Sequence, residues 1–356
     1  MFTPPRCPNR ECSQHTHPRP GFYTHKGDYQ PKCRPHPVPR FQCNACGRGF
    51  SRQTFRSDYR DHKPHLNAPV LELLCKGVGF RETARTVGLT RRCLELKARK
   101  HSRTAAWMDA NLKRRIAVCQ PRGVDGVLRV HFDEFETYET RRNTRPITIA
   151  VAIESTTRLH FAAIAAPIRP RGKMTESRRA AIEREEALLG PRRNRSRAAC
   201  RIALSKAAQL HPEAEVVLLH TDEKTTYPKI AKRVFEGRTL LHSRTPSIAP
   251  RTARNPLFPV NHEEACLRDW MGRLRRESWL VSKKRRFLGL HLKLWGAWRN
   301  WVKVRFNRDK KTPAQIRGNA PRKLSFHDLA GWRQDWGQRS PSPFGRGWES
   351  VGQLAL

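Results

Sequence analysis

The sequence has no apolar run that approaches the roughly 20 residues a helix needs to cross a bilayer, which argues against a membrane partner. Acidic residues are also scarce. Asp and Glu total 31 against 71 Lys and Arg, so the formal net charge of the 356 residues is +40. This excess favours a polyanionic partner, and nucleic acid is the first candidate because each phosphate that a cation neutralises releases counterions. The sequence starts without a signal peptide, so we expect a cytoplasmic, nucleoid-associated protein.

Composition divides the chain into four predicted domains. Residues 1–62 are rich in Cys, His, Pro and Arg and have too few aliphatic residues for a conventional core. Residues 63–105 carry short helical patterns, whereas in residues 125–305 β-branched runs alternate with charged helical stretches, which is typical of an α/β domain. Residues 306–356 are basic and interrupted by Gly and Pro, so we expect a loosely ordered extension there.

The cysteines of the first domain predict a metal site. Ten cysteines in a cytoplasmic protein favour metal binding or free thiols over disulfides, and five of them lie in the first 46 residues. Cys7 and Cys12 form one pair, and Cys43 and Cys46 form a second pair followed by Gly47. Two such pairs supply the four soft ligands that tetrahedral Zn²⁺ prefers, and a segment so poor in aliphatics needs such an ion to fold. Three further residues remain alternative ligands: His15, His17 and Cys33.

The second domain has the layout of a helix-turn-helix. Residues 66–77 predict a first helix closed by glycine, and residues 80–89 predict a second, short helix with a turn at Gly88. Residues 91–100 predict a basic third helix. Any small helical hairpin could share this pattern, but the basic third helix favours DNA binding. Its candidate contacts to bases and phosphates are Arg91, Arg92, Lys97, Arg99 and Lys100.

In the third domain, two predicted strands each end near an aspartate. Residues 128–135 alternate like a strand that carries Asp133, and the apolar residues 214–221 lead to Asp222. Two more strands and a helix lie between them. Three strands, a helix and a parallel strand is the order of a ribonuclease-H-like fold, so we predict an α/β (α+β) mixed sheet flanked by helices. Two carboxylates on adjacent strand ends can bridge a pair of Mg²⁺ (or Mn²⁺) ions, although a single such aspartate more often caps the next loop.

A third ligand is predicted on the helix that begins near residue 259. Asn261, Glu264 and Arg268 share one face of that helix, and Glu263 is rotated to the far side. Glutamates in a first turn also complement the helix dipole without any further role, and this interpretation stays open for Glu263 and Glu264.

Several short segments, beside the cysteine pairs, match one family: residues 133–137, 220–223, 261–262, 267–268, 273–274, 292–300 and 332–336. The chain resembles bacterial insertion-sequence transposases that join a zinc ribbon, a helix-turn-helix and a DDE-type ribonuclease-H-like core. The resemblance covers residues 7 to about 337. In that family the third acidic residue lies seven positions before a basic residue, which here selects Asn261 and Arg268. The resemblance therefore implies an Asp-Asp-Asn version of the site, with Glu264 as a source of the missing charge.

The same resemblance implies the function. We expect a DNA transposase that binds the terminal repeats of its element and carries out Mg²⁺-dependent 3′-end cleavage and strand transfer into target DNA. Arg268 would bind phosphate, and the pairing of two element ends implies at least a homodimer. The alternatives are a non-catalytic zinc-finger and helix-turn-helix DNA-binding protein, and a decayed transposase that binds ends without cleaving them.

Overall fold

The computed structural model describes residues 2–31, 36–118, 126–276 and 279–331. Its strands are β1 Tyr23–Tyr29, β2 Val38–Cys43, β3 Gly49–Ser51, β4 Val127–Tyr138, β5 Pro146–Glu154, β6 His160–Pro167, β7 Val216–Asp222 and β8 Thr239–Thr245. Its α-helices are α1 Ser13–Thr16, α2 Asn67–Cys75, α3 Phe80–Thr86, α4 Arg91–Val118, α5 Glu176–Leu189, α6 Ser196–Gln209, α7 Tyr227–Val234, α8 Phe258–Trp270, α9 Arg285–Trp301, α10 Pro313–Ile316 and α11 Phe326–Gly331.

The five-stranded sheet has the strand order β6-β5-β4-β7-β8. β4, β5 and β6 form an antiparallel meander, and β7 and β8 run parallel to β4. α6 crosses from the meander to β7, as the sequence predicted. The predicted fold class, an α/β mixed sheet of ribonuclease-H-like order flanked by helices, is confirmed. No strand was predicted at β8, because this edge strand is largely exposed and lacks a buried apolar pattern.

Helices cover both faces of this sheet, as two neighbouring residues of β4 show. Successive strand residues point to opposite faces. Glu134 accepts a hydrogen bond of 2.7 Å from Ser196 of α6, whereas Asp133 faces Glu264 of α8. α6 therefore covers one face and α8 the other. His160 of β6 contacts both α8 and α9, so α9 lies on the α8 side.

The N-terminal domain has a core of its own. β1, β2 and β3 form a small antiparallel sheet. Its interior is aromatic: Phe22 and Phe41 both lie against Phe50, and the Phe50 and Phe55 ring centroids are 6.0 Å apart. This cluster is separate from the large hydrophobic core that spans the rest of the described chain. Aromatic rings and cysteines thus take the place of the aliphatic residues that this domain lacks.

The helix-turn-helix consists of α2, α3 and α4, and Gly88 takes the left-handed conformation (φ 61°) that its turn requires. The third helix does not end near residue 100, because α4 continues to Val118 and packs along α9. The predicted boundary at residue 105 therefore falls inside a helix, and the helix-turn-helix shares one core with the sheet. Within the described residues, neither α4 nor any other helix has the length and apolar character that a membrane crossing requires.

Residues 306–331 differ from the loosely ordered extension that the composition predicted. α10 and α11 are packed, and Ala314, Leu324 and Leu329 are buried in the main core. α11 lies against α2 and α4. Only a few apolar residues make these contacts, and the basic, Pro-rich composition of the segment therefore did not indicate that it packs against the core. The segment 332–356, including the predicted motif at 332–336, lies outside the described residues.

A close backbone contact docks the helix-turn-helix against the core. A Cβ added to Gly272 would lie 2.7 Å from the carbonyl oxygen of Gly77, at the end of α2. We expect Gly272→Ala to lower the free energy of unfolding by about 1–3 kcal/mol, because the backbone must shift to relieve the overlap. The matched control is Gly289→Ala in α9, where a Cβ meets no atom within 4 Å and helix propensity favours Ala by about 0.5–1 kcal/mol. Urea denaturation compares the two; equal stabilities would contradict the contact.

Candidate metal centres and nucleic-acid interface

The four cysteines of the N-terminal domain come together. The sulfur atoms of Cys7, Cys12, Cys43 and Cys46 all lie within 4.8 Å of one another. Two of the distances are 3.6 Å, between Cys7 and Cys46, and 3.8 Å, between Cys12 and Cys43. Four sulfurs about 2.3 Å from a central ion in a tetrahedron would be about 3.8 Å apart. The cluster can therefore hold a metal ion such as zinc.

Local turns bring the two pairs together. Gly47 has a φ of 69°, and its amide donates to the Cys43 carbonyl at 2.9 Å, which closes the second turn. The Cys7 amide donates to Gln14, so the first pair folds back on itself. His15 is not in the cluster, whose four ligand atoms are all cysteine sulfurs; its Nδ1 lies 2.8 Å from the Cys7 carbonyl oxygen. His17 is outside the cluster, and the alternative ligand Cys33 lies outside the described residues.

The thiols have divergent acidities. Burial raises the pKa of Cys7 to about 12. The backbone amide of Arg48 lowers the pKa of Cys46 to about 7. Cys46 therefore presents a thiolate most readily, and the buried thiols need a cation nearby before they ionise.

At the sheet, Asp133 and Asp222 lie side by side. The parallel pairing of β4 with β7 aligns His131 with His220, so the two aspartates, each two residues further on, lie at the same level of the sheet. Asp222 is the last residue of β7, as predicted. Asp133 is not at a strand end: β4 continues to Tyr138 because its residues from Val130 onward pair with β5. The predicted juxtaposition nevertheless arises, because the shorter strand ends beside it.

Glu264 joins the two aspartates from α8. Burial, and next the negative charge of Asp133, raise the pKa of Glu264 well above its usual range. Its Oε1 is buried and has no hydrogen-bond partner among the described residues. Burial, followed by the charge of Asp222, raises the pKa of Asp133 to about 7. Among the described residues, the four cysteines are the only group of three or more metal-ligand side chains whose ligand atoms all lie within 4.8 Å of one another. The three carboxylates are therefore spaced more widely than the ligands of a single ion.

Glu263, the alternative third ligand, points away from this site into the core. It is fully buried; its Oε2 accepts from the Arg299 guanidinium at 3.1 Å and its Oε1 lies 3.0 Å from His160 Nδ1. Burial alone would raise the pKa of Glu263, but the Arg299 charge and the His160 hydrogen bond hold it below the usual value. Glu263 therefore joins α8 to β6 and α9.

The remaining predicted residues of this site lie around the carboxylates. Asn261 is half-buried one turn before Glu264 on α8, on the same face of the helix. The Arg268 guanidinium lies 4.5 Å above the Phe135 ring and makes a 3.5 Å hydrogen bond to the Glu136 carbonyl. Arg251 was not predicted to belong to the site; its positive charge lowers the pKa of Asp133 and Glu264 and so opposes the effect of burial. Arg251 lies in an irregular loop, so no periodic pattern marks it.

Glu134, a buried carboxylate next to the site, was given no role by the sequence. Glu134 bonds to the Lys224 ammonium, and it accepts hydrogen bonds from Thr148 (2.9 Å), Ser196 (2.7 Å) and Tyr227 (3.1 Å). These four groups come from β5, α6, α7 and the turn that follows Asp222. Burial would raise the pKa of Glu134, but the Lys224 hydrogen bond and charge lower it. Glu134 thus fixes this turn, and its own charge is compensated.

The structure corrects one predicted DNA contact on α4. Lys97 is buried at the floor of a groove, and its ammonium donates to Asn67 Oδ1 at 2.7 Å, so it is held inside the protein instead of being exposed to DNA. Its neighbour Lys100 is held by Asp61 at 2.7 Å but stays partly exposed. A basic residue on a helix can be structural when a carboxylate from another segment lies nearby, and the linear sequence does not show that pairing.

The other predicted contacts remain accessible. Arg91 and Arg92 are exposed at the start of α4, and the Arg91 side chain pairs with Glu95. Arg99 is half-buried, with its guanidinium 5.4 Å above the Phe287 ring. A groove runs between the N-terminal domain and α4, and cations from both line it: Arg6, Arg10, Arg60, Lys63, Arg99, Lys100 and Arg103. The two N-terminal domains thus form one continuous basic surface.

Three features of the described chain can carry chemistry or binding: the cysteine cluster, the three carboxylates at the sheet and the basic groove. No protein-family model and no curated protein matches the chain. Function is therefore inferred from these three features and from the fold.

Proposed function

We propose that the protein is a DNA transposase that cleaves element ends and joins them to target DNA by divalent-metal-dependent phosphoryl transfer. The observation that carries this proposal is the set of three carboxylates where β7 ends beside β4, the central strand of a ribonuclease-H-like sheet. Asp133 and Asp222 belong to adjacent parallel strands, and Glu264 faces them from α8.

The donor set suits Mg²⁺ or Mn²⁺. All three groups offer oxygen, which these hard cations prefer. Burial, and next the charges of the neighbouring carboxylates, raise the pKa of Asp133 and Glu264, and a bound cation would favour their ionised forms. When bound, a pair of such ions activates the attacking oxygen and stabilises the leaving oxygen of a phosphodiester. Asp133, Asp222 and Glu264 would hold the ions. Asn261 offers a further neutral oxygen, and Arg268 and Arg251 offer positive charge to a phosphate.

The carboxylates also bear on the alternatives. A protein that only binds DNA gains nothing from clustered acids that lower its stability and repel phosphate. Glu264 supplies a third carboxylate, so the neutral Asn261 does not by itself indicate a decayed enzyme. We further propose that Zn²⁺ occupies the cysteine cluster, and that the groove and the exposed face of α4 hold the terminal repeats through phosphate contacts.

The test is Mg²⁺- or Mn²⁺-dependent nicking and strand joining on DNA that carries the element's own ends. We expect Asp133→Ala, Asp222→Ala and Glu264→Ala each to lower the rate by about 10²–10⁴-fold, which corresponds to the several kcal/mol that metal ions contribute. Asn261→Ala tests the additional ligand. End binding, measured by fluorescence anisotropy, should stay within a few-fold of wild type in all four variants.

The control variant is Glu223→Ala, which removes an exposed carboxylate directly after Asp222. It should keep wild-type activity. Salt-sensitive binding of element ends without cleavage in either metal would reject the transposase proposal in favour of a DNA-binding regulator.

A further inference from the structure

A second basic cleft lies between α6 and α7, on the face of the sheet opposite α8. Four cations line it, two from each helix: Arg197, Arg201, Lys229 and Arg233. Within each helix the two cations are four residues apart and so share one face. Two hydroxyl side chains, Thr225 and Thr226, line the same cleft at the start of α7. The cleft thus combines positive charge with hydrogen-bond donors, the two requirements for binding phosphate.

The cations of this cleft have no acidic partner. All four are exposed, no ion pair joins them to any other part of the described chain, and no acidic side chain lines the cleft. Like charges four residues apart on a helix destabilise it. The chain therefore maintains a concentration of positive charge that an external anion would stabilise.

One end of the cleft, at Thr225, lies near the turn that follows Asp222. Thr225 follows Asp222 by three residues, and three residues of chain span at most about 10 Å, the rise of about three base pairs. Lys224, between them, is bound to Glu134, so the turn is held in place and its charge is already compensated. DNA that leaves the carboxylates past this turn would bring a phosphate to the Thr225 end of the cleft within a few nucleotides.

We propose that the cleft between α6 and α7 binds the phosphodiester backbone of DNA that extends from the active centre. This inference rests on the proposed function, because it takes the carboxylate site as the place where a DNA strand reacts. Recognition is by charge and hydroxyl groups, so we expect it to be independent of base sequence. Either the target DNA or the DNA that flanks the element could supply these phosphates.

The salt dependence of DNA binding tests the cleft in the full-length chain. Arg201→Gln/Arg233→Gln removes one cation from each helix, and Arg179→Gln/Arg184→Gln removes two exposed cations from α5 as a charge-matched control. Fluorescence anisotropy between 50 and 300 mM KCl gives the slope of log affinity against log salt concentration. One probe is a generic duplex, which represents target DNA, and the other carries an element end with its flanking DNA.

We expect the cleft variant to reduce this slope by about 2, since each phosphate contact contributes about 0.9, and to lower the affinity roughly tenfold near 100 mM KCl. A loss with the generic duplex assigns the cleft to target DNA, and a loss confined to the end-bearing duplex assigns it to flanking DNA. Unchanged slopes with both probes, or an equal loss in the control variant, overturn the proposal. A wild-type protein that binds but never nicks DNA would refute the transposase function alone, and the slopes would still decide the role of the cleft.

Discussion

Removal of metal from the cysteine cluster is expected to unfold residues 2–55 while the five-stranded sheet stays folded. The buried cluster of this domain consists of three cysteines and four phenylalanines and is separate from the main core. So small an apolar core does not offset the entropy of ordering the chain. Structural Zn²⁺ contributes about 10–16 kcal/mol of apparent binding free energy in comparable small domains. The ion, rather than the aromatic rings, should therefore decide whether this domain folds.

Metal analysis and limited proteolysis of the full-length chain measure this effect. We expect about one equivalent of zinc in the purified protein, lost on treatment with a strong chelator or in Cys43→Ser, followed by rapid cleavage within residues 2–55. Cys93→Ser, an exposed cysteine on α4, is the matched control and should retain the ion. Zinc should also be released on acidification, because protons compete with the ion for the thiolates. Unchanged protection of this domain after metal loss would contradict the prediction.

Two adjacent glutamates on α8 should respond in opposite ways to the same substitution. Glu264→Gln is expected to stabilise the metal-free protein by about 1–2 kcal/mol, because it removes a buried charge that faces Asp133. Glu263→Gln is expected to destabilise it by about 3–5 kcal/mol, because Arg299 would lose its buried partner. Thermal unfolding in EDTA compares the two variants with wild type. Added Mg²⁺ should raise the midpoint of wild type but not that of Glu264→Gln.

Asp133 gives the same site a pH dependence. Its pKa of about 7 in the folded protein exceeds the usual value of 3.8, so the folded state binds the proton more tightly than the unfolded state does. The stability that this group contributes is present below about pH 4 and is lost as the pH rises through about 7. The unfolding midpoint of Asp133→Asn should therefore exceed that of wild type increasingly between pH 5 and pH 8 in EDTA. A difference in unfolding midpoint between Asp133→Asn and wild type that does not change with pH would contradict this prediction. A Glu264→Gln variant less stable than wild type would likewise show that neighbouring positive charges already compensate the carboxylates.

Local patterns in the sequence were sufficient wherever residues close in the chain act together. The pairs Cys7/Cys12 and Cys43/Cys46, the helix-turn-helix with its turn at Gly88, and the order of strands and helix before Asp222 all follow from spacing and periodicity. Such patterns fix backbone geometry over a few residues, and the fold class follows from the order of elements.

Contacts between distant segments could not be read in the same way. Asp61 determines that Lys97 is buried although it lies on a basic helix. Glu263 is held in the core by its ion pairs with Arg299 and His160. Glu264, the next residue, is also a glutamate but faces Asp133. In each case the side chain has the same chemistry as its neighbours, and only its partner differs.

By itself the sequence determined the fold class, the four cysteines and the two aspartates, because each depends on periodicity, spacing or strand order. The tertiary structure decided which glutamate joins those aspartates, which lysine is unavailable to DNA, that α4 and the segment 306–331 belong to the main core, and that four cations gather between α6 and α7. These outcomes depend on burial and on charges brought together from remote parts of the chain. Both set the free energy of an ionised group, and neither is a property of the local sequence.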